Sequence, residues 1–255
     1  MKDGLENKHR IITACTGSGH AEPGRGGSAC IVETADTAIL LDCGEGIAGW
    51  INYYTLAEKF SAIFISHLHP DHVAGLFSVV QNMYMANRIE PLDIYLPVEG
   101  IEPIRNMLSA MYLGPEVKKK IFTCRFFSLT SGSVWQNQEM TVHAWPSDHF
   151  TKDNITGNTP RPAFGFTIES GLKRLVYTAD VATIQCFTSE ILPGTTLISE
   201  ATHIDYRAVV RLAFDRQVNR LIFTHIDPSV HDELNEFCRT CHFVTIARDG
   251  LVTEW

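Results

Sequence analysis

The stretch Ser66-His67-Leu68-His69-Pro70-Asp71-His72 constrains this chain more than any other. Four potential metal ligands, His67, His69, Asp71 and His72, fall within six positions. The apolar run Ala62-Ile63-Phe64-Ile65 comes just before them, and Val73-Ala74-Gly75-Leu76-Phe77 just after. The cluster therefore reads as a loop at the end of a buried strand, leading into a helix. Imidazoles with a carboxylate suit zinc, manganese or iron better than calcium or magnesium, which prefer oxygen ligands. A closed structural zinc site would need four ligands, usually including thiolates. No cysteine lies nearby in the sequence, and alternating ligands on a tight loop tend to face one open cavity.

The rest of the chain repeats this design. Arg10 to Cys15, Ala29 to Glu33 and Ala38 to Cys43 read as strands, with a polar turn at Ala35-Asp36 between the last two. The second of that pair ends in Asp42, which either caps the next helix or orients a ligand histidine from behind. A glycine-rich loop, Thr16-Gly17-Ser18-Gly19 through Arg25-Gly26-Gly27, has neither dinucleotide nor P-loop spacing. Its glycines let backbone pass close to a neighbouring loop or ligand. A helix is expected to about Arg88, a strand at 93–97, a helix at 99–111 and strands at 122–129 and 139–145. His149 follows the last of these as His67 follows its strand. Strands at 163–169 and 174–178 lead to Asp180, a strand at 196–199 leads to Glu200-Ala201-Thr202-His203, and one at 220–224 leads to His225. In the helix from Asp205 to Gln217, Tyr206, Val209, Val210 and Ala213 share one face. Phe243–Ala247 and Leu251–Trp255 flank Arg248-Asp249-Gly250, which reads as a hairpin turn. The βα and ββ units form two halves of similar length, which suggests two sheets packed face to face with helices outside. With no linker or low-complexity stretch, residues 1–255 read as one domain.

Composition limits the partners. Of 255 residues, 45% are hydrophobic and 20% charged, an ordinary globular balance. A net charge of −8 gives no general attraction to a polyanion, which argues against extended nucleic acid as partner. The start MKDGLENKHR lacks the apolar core of a signal peptide, and no run approaches the ~20 apolar residues of a bilayer span. A cytoplasmic protein with no membrane contact is expected. Seven scattered cysteines fit reduced thiols, and Cys238-Arg-Thr-Cys241-His242 matches a haem-attachment pattern only on paper. Asn154-Ile155-Thr156 is a sequon that matters only on a secretory route.

His67, His69, Asp71, His72, His149, Asp180 and His225 make seven candidate ligands, too many for one tetrahedral ion and suited to two. Two close ions need a bridging carboxylate, for which Asp180 is the natural choice. A hydroxide bridging such a pair attacks, and the ions neutralise charge at the reacting centre. That chemistry is hydrolysis, most naturally of phosphoesters.

The ordered segments LLDCGEG, SHLHPDH, His149, YTAD and FTHI resemble the five motifs of the metallo-β-lactamase superfamily, over nearly the whole chain. The resemblance implies an α/β (α+β) fold, a four-layer αββα sandwich. It assigns His67, His69 and His149 to one divalent metal and Asp71, His72 and His225 to the other, with Asp180 bridging. The ions are zinc by preference, with manganese or iron acceptable. Glu200-Ala201-Thr202 and the RLIFTH strand are similar to the RNase Z-like phosphodiesterases. That group carries a further histidine whose spacing to the last ligand matches His203, although the usual HST reads His203-Ile204-Asp205 here. His203 is then expected to contact the phosphate or protonate the leaving oxygen, with Asp71 and Glu200 also counted as catalytic candidates. The tRNA-processing members carry a long basic arm, whereas 30 residues separate His149 from Asp180 here. A small phosphodiester such as a 3′,5′-cyclic nucleotide fits better, as in arm-less bacterial and phage cyclic-nucleotide phosphodiesterases. Lys152 and Arg161, in the loop 150–162, are positioned to touch phosphate or simply to be solvated. Alternatives are tRNA 3′ processing, lactone or thioester hydrolysis, and an inactive binding module. The resemblance also implies a homodimer.

Overall fold

A computed structural model describes residues 9–114, 122–151 and 161–255. Residues 1–8 of the start tested as a leader, the sequon at 154–156, and Lys152 with most of the loop read at 150–162 lie outside the described residues. The chain forms two compact units. One comprises Met1–Cys15, Gly26–Ser128 and Asp249–Trp255, and the other Thr16–Arg25 and Leu129–Arg248.

The first unit contains β1 (Arg10–Cys15), β2 (Ala29–Glu33), β3 (Ala38–Leu41), β4 (Phe60–Phe64), β5 (Leu92–Leu96), β6 (Cys124–Ser128) and β14 (Leu251–Glu254). They form one sheet in the order β14-β1-β2-β3-β4-β5-β6. From β14 to β3 neighbours pair antiparallel, and β4, β5 and β6 are then added parallel. Parallel neighbours need crossovers, and helices supply them. These are α1 (Ile47–Tyr53), the short α2 (Pro70–Val73) with α3 (Leu76–Met85), and α4 (Val98–Ala110). One face of the sheet, with Ile12, Ile31, Leu40, Ile63 and Ile94, packs with Ile47 and Ile51 of α1 and Leu76, Val79 and Met83 of α3. The alternate residues Ile11, Val32, Ile39 and Phe64 are buried as well, so these strands read as unbroken apolar runs. Behind α3, the buried Arg88 guanidinium donates to the carbonyls of Ala57, Phe60, Glu90 and Pro91, which satisfies a charge that burial would otherwise penalise.

The second unit repeats the plan. Its strands are β7 (Val134–Gln136), β8 (Thr141–Pro146), β9 (Phe164–Ser170), β10 (Lys173–Tyr177), β11 (Thr196–Glu200), β12 (Arg220–Thr224) and β13 (Val244–Ile246). The order is β13-β12-β11-β10-β9-β8-β7, antiparallel from β7 to β10 and parallel from β10 to β13. Helix α5 (Tyr206–Asp215) joins β11 to β12 and buries Tyr206, Val209, Val210 and Ala213, the face expected from its spacing. Asp205 caps it by accepting from the Arg207 amide. Helix α6 (Pro228–Cys238) joins β12 to β13, capped by Asp227 with Pro228 in its first turn.

One sequence expectation needs correction, and one element carries no sequence expectation. Arg248-Asp249-Gly250 closes no hairpin: β13 runs parallel to β12, and β14 pairs antiparallel with β1, so the flanking strands belong to different sheets. The segment after His225 is a helix of 11 residues that went unread, although its Asp-Pro start is a standard capping signal. Among the described residues, no helix is long and apolar enough to cross a membrane.

Candidate metal centre

In parallel sheets the carboxyl ends of the strands face one side, where ligands bind. In the first unit these ends carry Asp42, just after β3, and Ser66 and His67, just after β4. Asp42 sits at φ 58, in the left-handed region, and is fully buried. Its carboxylate accepts from the Ser66 amide at 2.7 Å, the Ser66 hydroxyl at 3.0 Å and His72 Nδ1 at 2.8 Å. Of the two sequence readings of Asp42, the structure supports histidine orientation; the residue capping α1 is Gly46. A hydroxyl has one proton. Having given it to Asp42, Ser66 Oγ accepts from His67 Nδ1 at 3.0 Å. Both His67 and His72 are thus held by Nδ1–H, which makes Nε2 the lone-pair nitrogen of each. His67 Nε2 stands 3.0 Å from His69 Nδ1, and His72 Nε2 stands 3.5 Å from Asp71 Oδ2.

The loop is seated by close backbone crossings. The amide of Cys43 donates to the His72 carbonyl at 2.7 Å, and that of Gly75 to the Cys43 carbonyl at 2.9 Å. A Cβ on Gly44 would lie 2.3 Å from the Asp71 carbonyl oxygen, and one on Gly27 2.6 Å from the same atom. These two glycines are therefore required by contact with the 66–72 loop; for Gly27 this is the close approach expected of the glycine-rich stretch. Cys43 is fully buried, and burial pushes its pKa well up.

In the second unit Asp180 follows β10, His225 follows β12, and His149 follows β8. Asp180 meets three imidazoles: Oδ1 lies 3.5 Å from His225 Nε2, and Oδ2 lies 3.6 Å from His203 Nδ1 and 3.8 Å from His149 Nε2. Asp180, His203 and His225 each offer a ligand atom within 4.8 Å of the others. Backbone strain marks the same places. Ala179 at φ 50 and His225 at φ 49 are left-handed without being glycine, which costs roughly 1–2 kcal/mol each.

Glu200 is buried, and its acceptor sites are well used. Oε1 takes the Val181 amide at 3.0 Å, and Oε2 takes the amides of Thr202 at 2.9 Å and His203 at 2.6 Å and meets His203 Nδ1 at 3.1 Å. It therefore holds the Asp180 loop and His203 together. His203, two residues before the α5 cap, keeps 40% of its side chain exposed. The Thr202 hydroxyl donates to the His225 carbonyl at 2.5 Å and accepts from the Asp227 amide at 3.0 Å, which fastens the strained turn at His225.

Ser147 and Asp148, just before His149, carry supporting bonds that the sequence pattern does not announce. Asp148 accepts from the Ala182 and Thr183 amides and from the Thr183 hydroxyl. Burial pushes its pKa up, but hydrogen bonds from Thr183, Ala182 and Cys186 outweigh it and hold the carboxyl below its ordinary value. Such side-chain-to-backbone bonds leave no sequence signature beyond residue type.

Imidazole nitrogens and carboxylate oxygens, with no thiolate among them, fit zinc, manganese or iron. Spacing agrees. Two donors at 2.0–2.1 Å from a common tetrahedral ion lie about 3.3 Å apart, close to the His67–His69 separation of 3.0 Å and the Asp180–His225 separation of 3.5 Å.

Comparison with known proteins follows the same line. The chain is 30% identical over 141 residues to a ribonuclease Z of Methanococcus aeolicus, a match covering 55% of this chain and 43% of that protein. It thus spans less than half the length of that relative. The probable metallo-hydrolase YhfI of Bacillus subtilis is 25% identical over 245 residues, 89% of this chain and 92% of YhfI. The crystal structure of YhfI, described as a metallo-β-lactamase fold protein, matches with a TM-score of 0.78 at 21% identity, over 98% of this chain and 100% of that one. The human short-form tRNase Z, ELAC1, matches with 0.72 at 21% identity, over 96% and 98%. The fold is that of the metallo-β-lactamases. A family model described as anti-Pycsar protein Apyc1 matches residues 10–235, and the chain belongs to that family.

Proposed function

We propose that the chain is a metal-dependent phosphodiesterase that hydrolyses a small phosphodiester, a 3′,5′-cyclic nucleotide, at a centre of two divalent cations. His67, His69 and His149 would hold one cation, and Asp71, His72 and His225 the other, with Asp180 shared. The observation that carries the reading is the orientation of Asp180, whose Oδ1 faces His225 while its Oδ2 faces His149 and His203. Bound there, the cations would supply positive charge against phosphate oxygens and acidify the attacking water.

The chain's own groups do the rest. Asp42 and Ser66 fix the tautomers of His72 and His67, so each offers Nε2. Glu200 engages Nδ1 of His203, which makes Nε2 the nitrogen that would protonate the leaving oxygen. Membership of the Apyc1 family accords with a cyclic-nucleotide substrate. The acidic net charge of −8 and the 30-residue interval between His149 and Asp180 favour a small substrate over tRNA. Similarity to ribonuclease Z keeps tRNA 3′ processing as the second reading.

The test is a substrate panel on zinc- or manganese-loaded protein: 3′,5′-cyclic mononucleotides, linear dinucleotides, pre-tRNA, bis(p-nitrophenyl) phosphate and a lactone. Cyclic mononucleotides should be opened fastest. Cleavage of pre-tRNA alone, or of the lactone alone, would overturn the assignment.

A further inference from the structure

The His149 loop and the Asp180 loop are joined by a set of hydrogen bonds that the chemistry above does not use. The Ser147 hydroxyl donates to the Asp180 carbonyl at 2.5 Å and accepts from the His149 amide at 3.1 Å, so one oxygen links the backbones of two ligands. On the far side of Asp180, Asp148 Oδ1 takes the Ala182 amide at 2.7 Å and the Thr183 amide at 3.3 Å. Its Oδ2 takes the Thr183 hydroxyl at 2.5 Å. The loop is itself pinned to the start of the next strand by the Ser147 amide, which donates to the Ala163 carbonyl at 2.7 Å.

We infer that Ser147 and Asp148 are positioning residues, a two-part latch that sets the separation of His149 and Asp180 and so the affinity for one of the two cations. The inference rests on the metal centre proposed above. Metal sites demand ligands placed within a few tenths of an ångström, and two loops left unlinked would drift by more than that. The latch also explains why a serine and an aspartate precede His149: the hydroxyl reaches back to Asp180 itself, and the carboxylate reaches past it to residues 182 and 183. The charged acceptor suits backbone amides, because hydrogen bonds to a carboxylate are stronger than neutral ones.

The test is metal titration of chelator-stripped protein, with ions counted by elemental analysis and melting followed with and without metal. Wild type should take up two ions. In Asp148→Ala one of the two should weaken by about 10–100-fold, the range for loss of groups that support ligands. The metal-induced rise in melting temperature should shrink with it. Asp148→Asn keeps an oxygen for both amides, and Ser147→Ala removes only the hydroxyl link, so each should weaken that ion toward the lower end of that range, by about 10-fold. These two variants decide the matter if Asp148→Ala does not fold. Two ions bound by every variant within threefold of wild type, with melting lowered equally in both states, would overturn the latch alone. Wild type that binds no transition metal would overturn both the latch and the centre it serves.

Discussion

Replacing Asp42 with asparagine should weaken metal binding while leaving the fold in place. The carboxylate accepts three hydrogen bonds and donates none. An amide keeps one acceptor oxygen. If it faces the Ser66 amide, the –NH2 group takes the place of Oδ2 and points at Ser66 Oγ and His72 Nδ1. Both can answer without breaking contact. His72 shifts its proton to Nε2 and accepts at Nδ1. Ser66 Oγ accepts from the amide and turns its own proton to His67 Nδ1, which drives the His67 proton to Nε2 as well. One substitution therefore puts protons on the two nitrogens, His67 Nε2 and His72 Nε2, that would otherwise coordinate. The opposite amide orientation sets –NH2 against the Ser66 N–H, leaving a buried donor unmatched at about 1–3 kcal/mol, so the tautomer exchange is the cheaper response. Affinity for both ions should fall about 10–100-fold, or roughly 1.4–2.7 kcal/mol each. Melting of metal-free protein should shift by no more than about 2–4 °C, the equivalent of 1 kcal/mol in a chain of this size. Calorimetric zinc titration measures the first quantity, and 15N NMR of the imidazoles reads the tautomers directly. Unchanged affinity for both ions, or Nδ1–H retained on His72 in the variant, would refute the reasoning.

Further outcomes follow from the same geometry. Ala179→Gly removes left-handed strain at φ 50 and should raise the melting temperature by about 2–4 °C, net of the extra freedom glycine gives the unfolded chain; a lower melting temperature would contradict this. Glu200→Gln places an amide –NH2 against at least one backbone donor and should cost about 1–3 kcal/mol in urea unfolding, with turnover falling together with metal affinity. Burial raises the pKa values of Cys15, Cys30 and Cys43, so these thiols stay protonated in the fold while the unfolded chain ionises them. Their contribution to stability is complete below about pH 8.5 and declines as pH rises, by about 1.4 kcal/mol per thiol per pH unit. Urea unfolding of wild type against Cys30→Ala should show a steeper decline for wild type between pH 9 and 10; parallel curves would count against it.

What the sequence revealed and what it hid divide along physical lines. The 66–72 loop was legible because its candidate ligands are contiguous and the apolar run before it fixes where the strand stops. His149, Asp180 and His225 were legible for a related reason: each stands one to three residues beyond a strand, and the strands before Asp180 and His225 end in an unbroken buried run. The Asp249-Gly250 turn misled because turn chemistry is local, whereas β14 finds its partner β1 some 240 positions away in the chain. Helix α6 was missed although Val230, Leu234 and Cys238 recur at helical spacing after an Asp-Pro start; eleven residues with two buried side chains give a weak periodic signal.

The supporting residues were hidden for a deeper reason. Ser66, Ser147 and Thr202 each use a single hydroxyl to bridge two groups, and a serine or threonine in a loop does this or nothing with the same letter. The left-handed turns at Asp42, Ala179 and His225 carry no glycine to announce them. Glu200 shows the consequence. From its motif it ranked as a catalytic candidate, but its carboxylate already meets three backbone amides and the His203 ring, which matches the roughly four acceptor sites a carboxylate has. A group so occupied acts through what it holds. Residue type announces which side chains can bind a cation, but the backbone amides that Glu200, Asp148 and Asp42 collect determine where those side chains stand. A backbone amide is present on every residue but proline, so the bonds it makes leave no trace in the sequence.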